Sequence, residues 1–295
     1  MSLRSLRALS LLAGSLPLLA GAQTTLEKVK QSGVIGVAYR ESSIPFSYLD
    51  DKAQPVGFGA DICNKVVDEV KKATGRADLK VQLQAVTSAN RIPLLQNGTI
   101  DIECGSTTNN SERGKQVAFA TNYFYTGTRF LVKAGTPVKT IADLSGKTVV
   151  STTGTTNYKI IRNLNEEKKL NIELLGAKDH AESALMVQTG RAVAFGMDDI
   201  LLYGLKASAA NPAELAVVGD AIQVEPYAIM VRREDPAFKK LVDDTIAGLI
   251  KSGEFETLYK KWFQSPIPPK GINLQAPMSQ ELRDNLKALS DKPAT

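Results

Sequence analysis

Apolar and polar positions along this chain recur in two periods, and the switches between them outline a repeated strand–helix design. Val34 opens a short apolar run, VIGVA, of strand length. Over residues 57–72, Ile62, Val66, Val67 and Val70 then recur at helical spacing. Leu79, Val81 and Leu83 alternate as a strand does. Residues 90–96 read as a short helical turn stopped by Asn97-Gly98, and Ile100 and Ile102 begin a third strand ending in Glu103-Cys104-Gly105. The pattern restarts near Lys147 with the apolar run TVVS. A helix over 155–168 (apolar at Tyr158, Ile161 and Leu164), a strand over 172–175, a helix over 179–189 capped by Asp179, and a strand over 192–195 follow. Gln96-Asn97-Gly98-Thr99 before one strand echoes Gln188-Thr189-Gly190-Arg191 before another. Such alternation predicts right-handed crossovers, mostly parallel sheets and two lobes of similar construction.

Beyond Val224 the pattern reads as helical. Asp235-Pro236 is a cap followed by a first-turn proline, and Phe238, Leu241, Val242, Thr245, Leu249 and Ile250 make one apolar face. After an interruption at Gly253, Phe255, Leu258, Tyr259, Trp262 and Phe263 make a second, aromatic face. Ser265-Pro-Ile-Pro-Pro ends it. Helices without strands of their own to cover are expected to return to the first lobe, so the chain would cross between lobes twice. A weakly amphipathic surface helix over 279–289 and a frayed end complete the expectation.

Composition changes this picture mainly by exclusion. The 295 residues suit one large domain or two lobes, and 43% hydrophobic with 23% charged residues describes a chain able to bury a core. The net charge of +5 is spread without a basic run, which does not indicate a nucleic-acid surface. One histidine and two cysteines exclude a zinc finger, an HExxH protease and a cysteine-dense scaffold.

Residues 1–22 combine Arg4 and Arg7, an apolar stretch over 8–20, and Ala20-Gly21-Ala22 before Gln23. That succession is expected to be a secretory signal peptide cleaved after Ala22, because the apolar stretch is too short to span a bilayer. Removing it takes away two arginines and no acid, leaving +3 on an exported chain. In an oxidising compartment Cys63, near a helix start, and Cys104, at a strand end, can pair. Spacing alone leaves a bridge and two buried thiols both open.

In an open α/β lobe the ligand site lies beyond the carboxyl ends of the strands. Those ends carry Arg40-Glu41-Ser42-Ser43, then Ser88-Ala89-Asn90-Arg91, then a run from Gly105 to Arg113 that includes Ser106 and Thr108. In the second lobe they carry Thr152-Thr153-Gly154-Thr155-Thr156, Asp179-His180 and Asp198-Asp199. Singly, a hydroxyl or an aspartate before a helix is a cap, an arginine is a solvated side chain, and His180 beside Asp179 is structural. Jointly they suit ion recognition. Arginine forks take carboxylates, helix starts bearing hydroxyls favour anions, and an aspartate balances an ammonium. An acidic amino acid has that charge pattern.

Five blocks carry a family resemblance: Arg40-Glu-Ser-Ser-Ile-Pro-Phe-Ser-Tyr48, Thr87-Ser-Ala-Asn-Arg-Ile-Pro-Leu-Leu-Gln-Asn-Gly98, Glu103-Cys-Gly-Ser-Thr-Thr-Asn-Asn110, Gly190-Arg-Ala-Val-Ala-Phe195, and Lys261-Trp-Phe through Pro269. In this order, across residues 26–273, the chain resembles the periplasmic glutamate/aspartate-binding proteins, in the polar amino-acid branch of the ABC-importer solute-binding proteins. The resemblance implies an α/β, two-lobe type II periplasmic-binding fold with the ligand cleft between lobes and a two-strand hinge. Lobe one would be 26–126 plus 226–295, and lobe two 127–225. It implies that Arg113, five residues after Thr108, grips an α-carboxylate and that Asp198, helped by Ser106, receives the α-ammonium. Arg40, Ser88, Arg91 and His180 would face the side-chain carboxylate, and the loop with Thr155 and Thr156 would supply hydroxyl and amide donors. That loop is close to the family's Gly-Thr-Thr pattern without showing which threonine touches ligand. The implied partners are L-glutamate or L-aspartate and a membrane ABC permease. A periplasmic monomer is expected, with no cofactor, metal or nucleic acid. Relatives that dehydrate prephenate-like acids make an enzyme the alternative, with Glu41 and His180 as acid–base candidates. Glutamine or another polar amino acid is the alternative ligand.

Overall fold

The computed structural model describes residues 23–294; the expected leader lies outside them. Two sheets organise the chain. The first runs edge to edge as Lys80–Ala85, Val34–Tyr39, Ile102–Glu103, Met230–Arg232 and Val117–Phe119. Its first three strands are parallel, and Met230–Arg232 runs antiparallel to both of its neighbours. The second runs as Glu173–Ala177, Thr148–Thr152, Ala194–Asp198, Phe124–Lys133 and Leu215–Val218. There too the first three are parallel, while Phe124–Lys133 is antiparallel to its neighbours.

In each sheet four of the five strands therefore share one direction, as a mostly parallel sheet requires, and only the expectation of helix alone beyond Val224 is corrected. Val224–Tyr227 and Met230–Arg232 are strands. The first reads Val-Glu-Pro-Tyr, and the second spans three residues. Neither is long enough, or regular enough in polarity, to show a period of two. Val224–Tyr227 pairs with the start of Phe124–Lys133, from Val224 opposite Gly127 to Tyr227 opposite Phe124. The rest of Phe124–Lys133 continues into the second sheet, from Thr128 opposite Asp198 to Val132 opposite Ala194. These two antiparallel strands carry the chain between the sheets, and they are the hinge of the fold.

The helices follow their apolar faces. Phe58–Thr74 buries Ile62, Val66, Val67 and Val70, and Gly75 ends it in the left-handed region at φ 67°. Pro236–Ser252 starts where the Asp235 side chain accepts from the Phe238 N–H, and breaks at Gly253, φ 78°. Glu254–Phe263 then buries Phe255, Tyr259, Trp262 and Phe263. Both helices return to the first sheet's side and pack on Phe58–Thr74, as their lack of partner strands requires. Phe46 sits at the centre of this packing, edge-on to Phe124 at 4.9 Å, Tyr227 at 5.1 Å and Phe263 at 5.5 Å between ring centroids. Edge-on aromatic pairs contribute stabilisation beyond the area they bury, so this cluster helps hold the helices against the hinge strands.

The C-terminal end is not frayed. After the helix Gln280–Ala288, the tail folds back along the hinge. The buried Asn109 and Asn122 side chains donate to the carbonyls of Asp291 (2.7 Å) and Lys292 (2.8 Å). The Ala294 N–H donates to Asn109 O at 2.9 Å. Asparagines distant in sequence do this, and apolar periodicity does not register them.

Cys63 and Cys104 form a disulfide, with Cα atoms 5.8 Å apart. Contact is close because the first helical turn lies on the strand end: a Cβ on Gly59 would fall 2.1 Å from Cys104 O. The bridge closes a loop of 41 residues in sequence separation. The chain-entropy relation gives about 4 kcal/mol for such a loop, and native disulfides typically contribute about 2–4 kcal/mol. A double Cys63→Ser, Cys104→Ser variant is expected to lose stability in that range, read from denaturant unfolding. An unchanged midpoint would show that the bridge contributes nothing to the equilibrium.

Candidate functional site

The strand ends converge as the topology demands. Arg40 follows Val34–Tyr39, and its backbone N–H donates to Ser47 Oγ at 2.9 Å. Ser88 and Arg91 lie where Lys80–Ala85 turns into the short helix Arg91–Gln96. Ser106, Thr108 and Arg113 follow Ile102–Glu103. On the opposite rim, Thr155 caps the helix Thr156–Lys168 by accepting from the Tyr158 N–H. His180 opens the helix His180–Gln188 behind its Asp179 cap, and Asp198 ends the strand Ala194–Asp198.

Nine of the ten residues singled out by sequence line one cleft, together with Asn157, Met197 and Leu201. The tenth, Arg40, lies behind that wall. Its Nη2 donates to Ser88 Oγ at 3.0 Å and reaches His180 Nε2 at 3.3 Å.

The charges are dense and buried. Burial first, and the neighbouring Arg91 charge second, lower Arg40 to about 9. The same two causes lower Arg113 to about 10, so both stay cationic at neutral pH. Burial and the Arg40 and Arg91 charges hold His180 well below its usual value. A neutral imidazole facing an arginine N–H must accept through Nε2. Its proton therefore sits on Nδ1, which donates to Thr152 Oγ1 at 2.9 Å. In this arrangement His180 orients Arg40 and offers no acid. Glu41, the other acid–base candidate, is exposed.

Asp198 is pushed up to about 8, first by burial and then by the carboxylate of Glu225. It accepts from Asn157 Nδ2 at 2.7 Å and from the Tyr227 hydroxyl. Asp199 has a structural role, since it accepts from Thr126 Oγ1 and from the Ile200 N–H, both at 2.7 Å.

Several contacts join the two rims. Arg113 Nη1 donates to Thr108 O at 3.0 Å, and Nη2 crosses to Gly154 O at 3.1 Å. Gly154 has φ 78°, and a Cβ there would fall 2.5 Å from Ala89 Cα, so only glycine lets the rims meet at this point. Glu225 Oε2 accepts from Thr108 Oγ1 and Thr156 Oγ1, one from each rim, both at 2.7 Å.

Sequence reasoning missed Asn157, Glu225 and Tyr227, and it passed over Glu103 and Thr107 in a block it had quoted. Glu225 and Tyr227 lie in a hinge strand without periodicity. For Glu103 the signal was available: an acid at the end of an apolar strand becomes buried when that strand is central.

Two sheets whose strand ends meet over a small, charged, largely hydrogen-bonded cleft define a protein that encloses a small ionic solute. The chain belongs to the bacterial extracellular solute-binding proteins, family 3, which matches residues 35–265. It is 50% identical over 272 residues to the glutamate/aspartate import solute-binding protein of Escherichia coli (strain K12), covering 92% of this chain and 89% of that one. It is 49% identical over 282 residues to the L-glutamate/L-aspartate-binding protein of Pseudomonas aeruginosa, covering 95% and 93%. Among solved structures, a mutant of ArgBP from T. maritima superposes with a TM-score of 0.73 at 26% identity, covering 80% of this chain and 98% of that one. By name the first of these is an import solute-binding protein and the second a binding protein, and the fold is the type II periplasmic-binding fold expected from the sequence.

Proposed function

We propose that this chain captures L-glutamate or L-aspartate in the cleft and delivers it to the membrane permease of an ABC-type amino-acid importer, working as a monomer in the periplasm after cleavage past Ala22. Glutamate and aspartate are what the Escherichia coli and Pseudomonas aeruginosa relatives bind by name. The observation that carries the reading is the set of buried donors left unpartnered. Arg91 Nε and Ser106 Oγ, both on residues that line the cleft, are enclosed without a hydrogen-bond partner within the protein. Buried cationic donors are tolerable only if something pairs them, and a dicarboxylate does so.

The roles follow from the chemistry of the rims. Arg113 takes the α-carboxylate with amide and hydroxyl donors near Thr155 and Thr156. Asp198 takes the α-ammonium with Ser106 and Thr108. Arg91, with Ser88 and with Arg40 and His180 behind, takes the side-chain carboxylate. Residues 26–126 with 226–295 then form one lobe and 127–225 the other, closing about the paired hinge strands.

Calorimetric titration with L-glutamate, L-aspartate and L-glutamine tests the reading. Tight binding of the first two and weak binding of glutamine supports it, whereas preferential binding of glutamine overturns the side-chain pocket.

A proton linkage follows from the raised Asp198. With a carboxyl near 8, the cleft is mostly protonated there at pH 7, and an arriving ammonium favours the charged form. Binding should therefore expel up to one proton per ligand below about pH 8, and affinity should fall as pH drops below that value and level off above it. Titrations at pH 7 in buffers of different ionisation enthalpy read this directly. Heats that do not vary with buffer would remove Asp198 as the ammonium partner.

A further inference from the structure

An acidic side chain inside a cage built for carboxylates needs a reason, and Glu103 is one. It is fully buried, as is Thr107 four residues on. Its Oε2 accepts from Thr107 Oγ1 at 2.6 Å. A threonine hydroxyl has a single proton, so once that proton is given to the carboxylate the oxygen offers only lone pairs to its other neighbours. The other neighbour is Arg91, whose Nη1 donates to Thr107 Oγ1. The polarity of the chain is thereby determined, running from Arg91 to Thr107 to Glu103.

The distances explain why the carboxylate does not pair with the guanidinium directly. Arg91 Nη1 and Glu103 Oε1 are 3.8 Å apart, an ion pair without a hydrogen bond. A bidentate Arg–Glu pair would occupy the guanidinium edge that a ligand needs. With Thr107 between them, Glu103 supplies counter-charge beside the neighbouring Arg40 and Arg91 while Arg91 keeps its Nε–H unpartnered. Space is left for this arrangement. A Cβ on Gly105 would fall 2.3 Å from Glu103 Oε1, so a side chain there would displace the carboxylate.

We propose that Thr107 and Glu103 are positioning residues that aim Arg91 at the side-chain carboxylate of the ligand, and so set the preference for acidic over neutral amino acids. The proposal rests on the role given to Arg91 above. A hydrogen bond to a charged group corresponds to roughly 10–100-fold in affinity. Thr107→Val keeps the shape and deletes the relay. Calorimetry should show it losing roughly that factor for L-glutamate and L-aspartate and less than about threefold for L-glutamine, with Thr107→Ser restoring the acidic ligands. Equal losses for all three ligands would make Thr107 merely structural and overturn the proposal, as would undiminished acidic selectivity in Thr107→Val. Thr107→Ala gives the same comparison if valine does not fold. The guanidinium 15N resonances of Arg91 in the ligand-free protein separate this proposal from the ligand assignment. Hindered rotation in wild type and Thr107→Ser that is lost in Thr107→Val supports the relay even if wild type proves not to prefer glutamate. Identical Arg91 signals in all three overturn it.

Discussion

Arg113→Ala is expected to weaken L-glutamate, L-aspartate and L-glutamine alike, by about 2–5 kcal/mol or roughly 30- to 5,000-fold, because every amino acid presents an α-carboxylate. The guanidinium has five N–H donors, and two are committed in the structure, one to Thr108 O and one across the cleft to Gly154 O. Each terminal nitrogen keeps one hydrogen, which together form the fork a carboxylate needs. Removing the side chain therefore deletes the anion partner and a contact between the rims in one step. It also leaves the Thr108 and Gly154 carbonyls without that donor, which adds to the loss. Calorimetry with the three ligands measures it. A loss confined to the acidic ligands would exchange the roles of Arg113 and Arg91.

Arg91→Ala is expected to act selectively. Glutamate and aspartate should lose within the same range of about 2–5 kcal/mol, while glutamine, whose side-chain amide is neutral, should lose far less. Arg91 is 2% exposed and touches Thr107 and the counter-charge of Glu103. Its deletion also leaves Glu103 as a buried carboxylate without its nearest cation, a penalty shared by all ligands and by the fold itself. The ratio of glutamate to glutamine affinity is thus the informative number, and thermal unfolding of the ligand-free variant measures the shared part. A ratio unchanged from wild type would remove Arg91 from side-chain recognition.

The proton linkage at Asp198 and the relay through Thr107 divide the cleft further. One concerns the ammonium end, where burial and the carboxylate of Glu225 raise Asp198. The other concerns the opposite end, where a carboxylate is kept one hydroxyl away from the arginine it neutralises. In both places a buried acid tunes a neighbouring residue to which the proposed function gives a ligand contact.

The positions of the cleft residues were legible because topology ties them to strand ends. Arg40, Arg91, Arg113 and Asp198 each follow or end a strand, and parallel crossovers bring such ends to one edge. The aromatic faces of residues 236–263 were legible for the same reason: helical period and the absence of strands to cover send them back to the first sheet. What failed was the reading of short strands. Val224–Tyr227 contains Pro226 and the buried Glu225, and its strand character comes from pairing with Phe124–Lys133 rather than from its own residues. The tail beyond Leu289 failed similarly, since its order comes from Asn109 and Asn122, whose partners lie more than a hundred residues away.

By itself the sequence determined the alternation of strand and helix, the two lobes, the chemistry available at each strand end and the family the chain resembles, because periodicity, caps and ordered motifs are local properties. Only the tertiary structure decided that Cys63 and Cys104 are bridged, that Arg40 stands behind Ser88 and His180 rather than on the cleft wall, and that Glu103, Glu225 and Tyr227 belong to the charged interior. Those outcomes depend on distances of a few ångströms between segments far apart in the chain, and on how burial changes the cost of each charge.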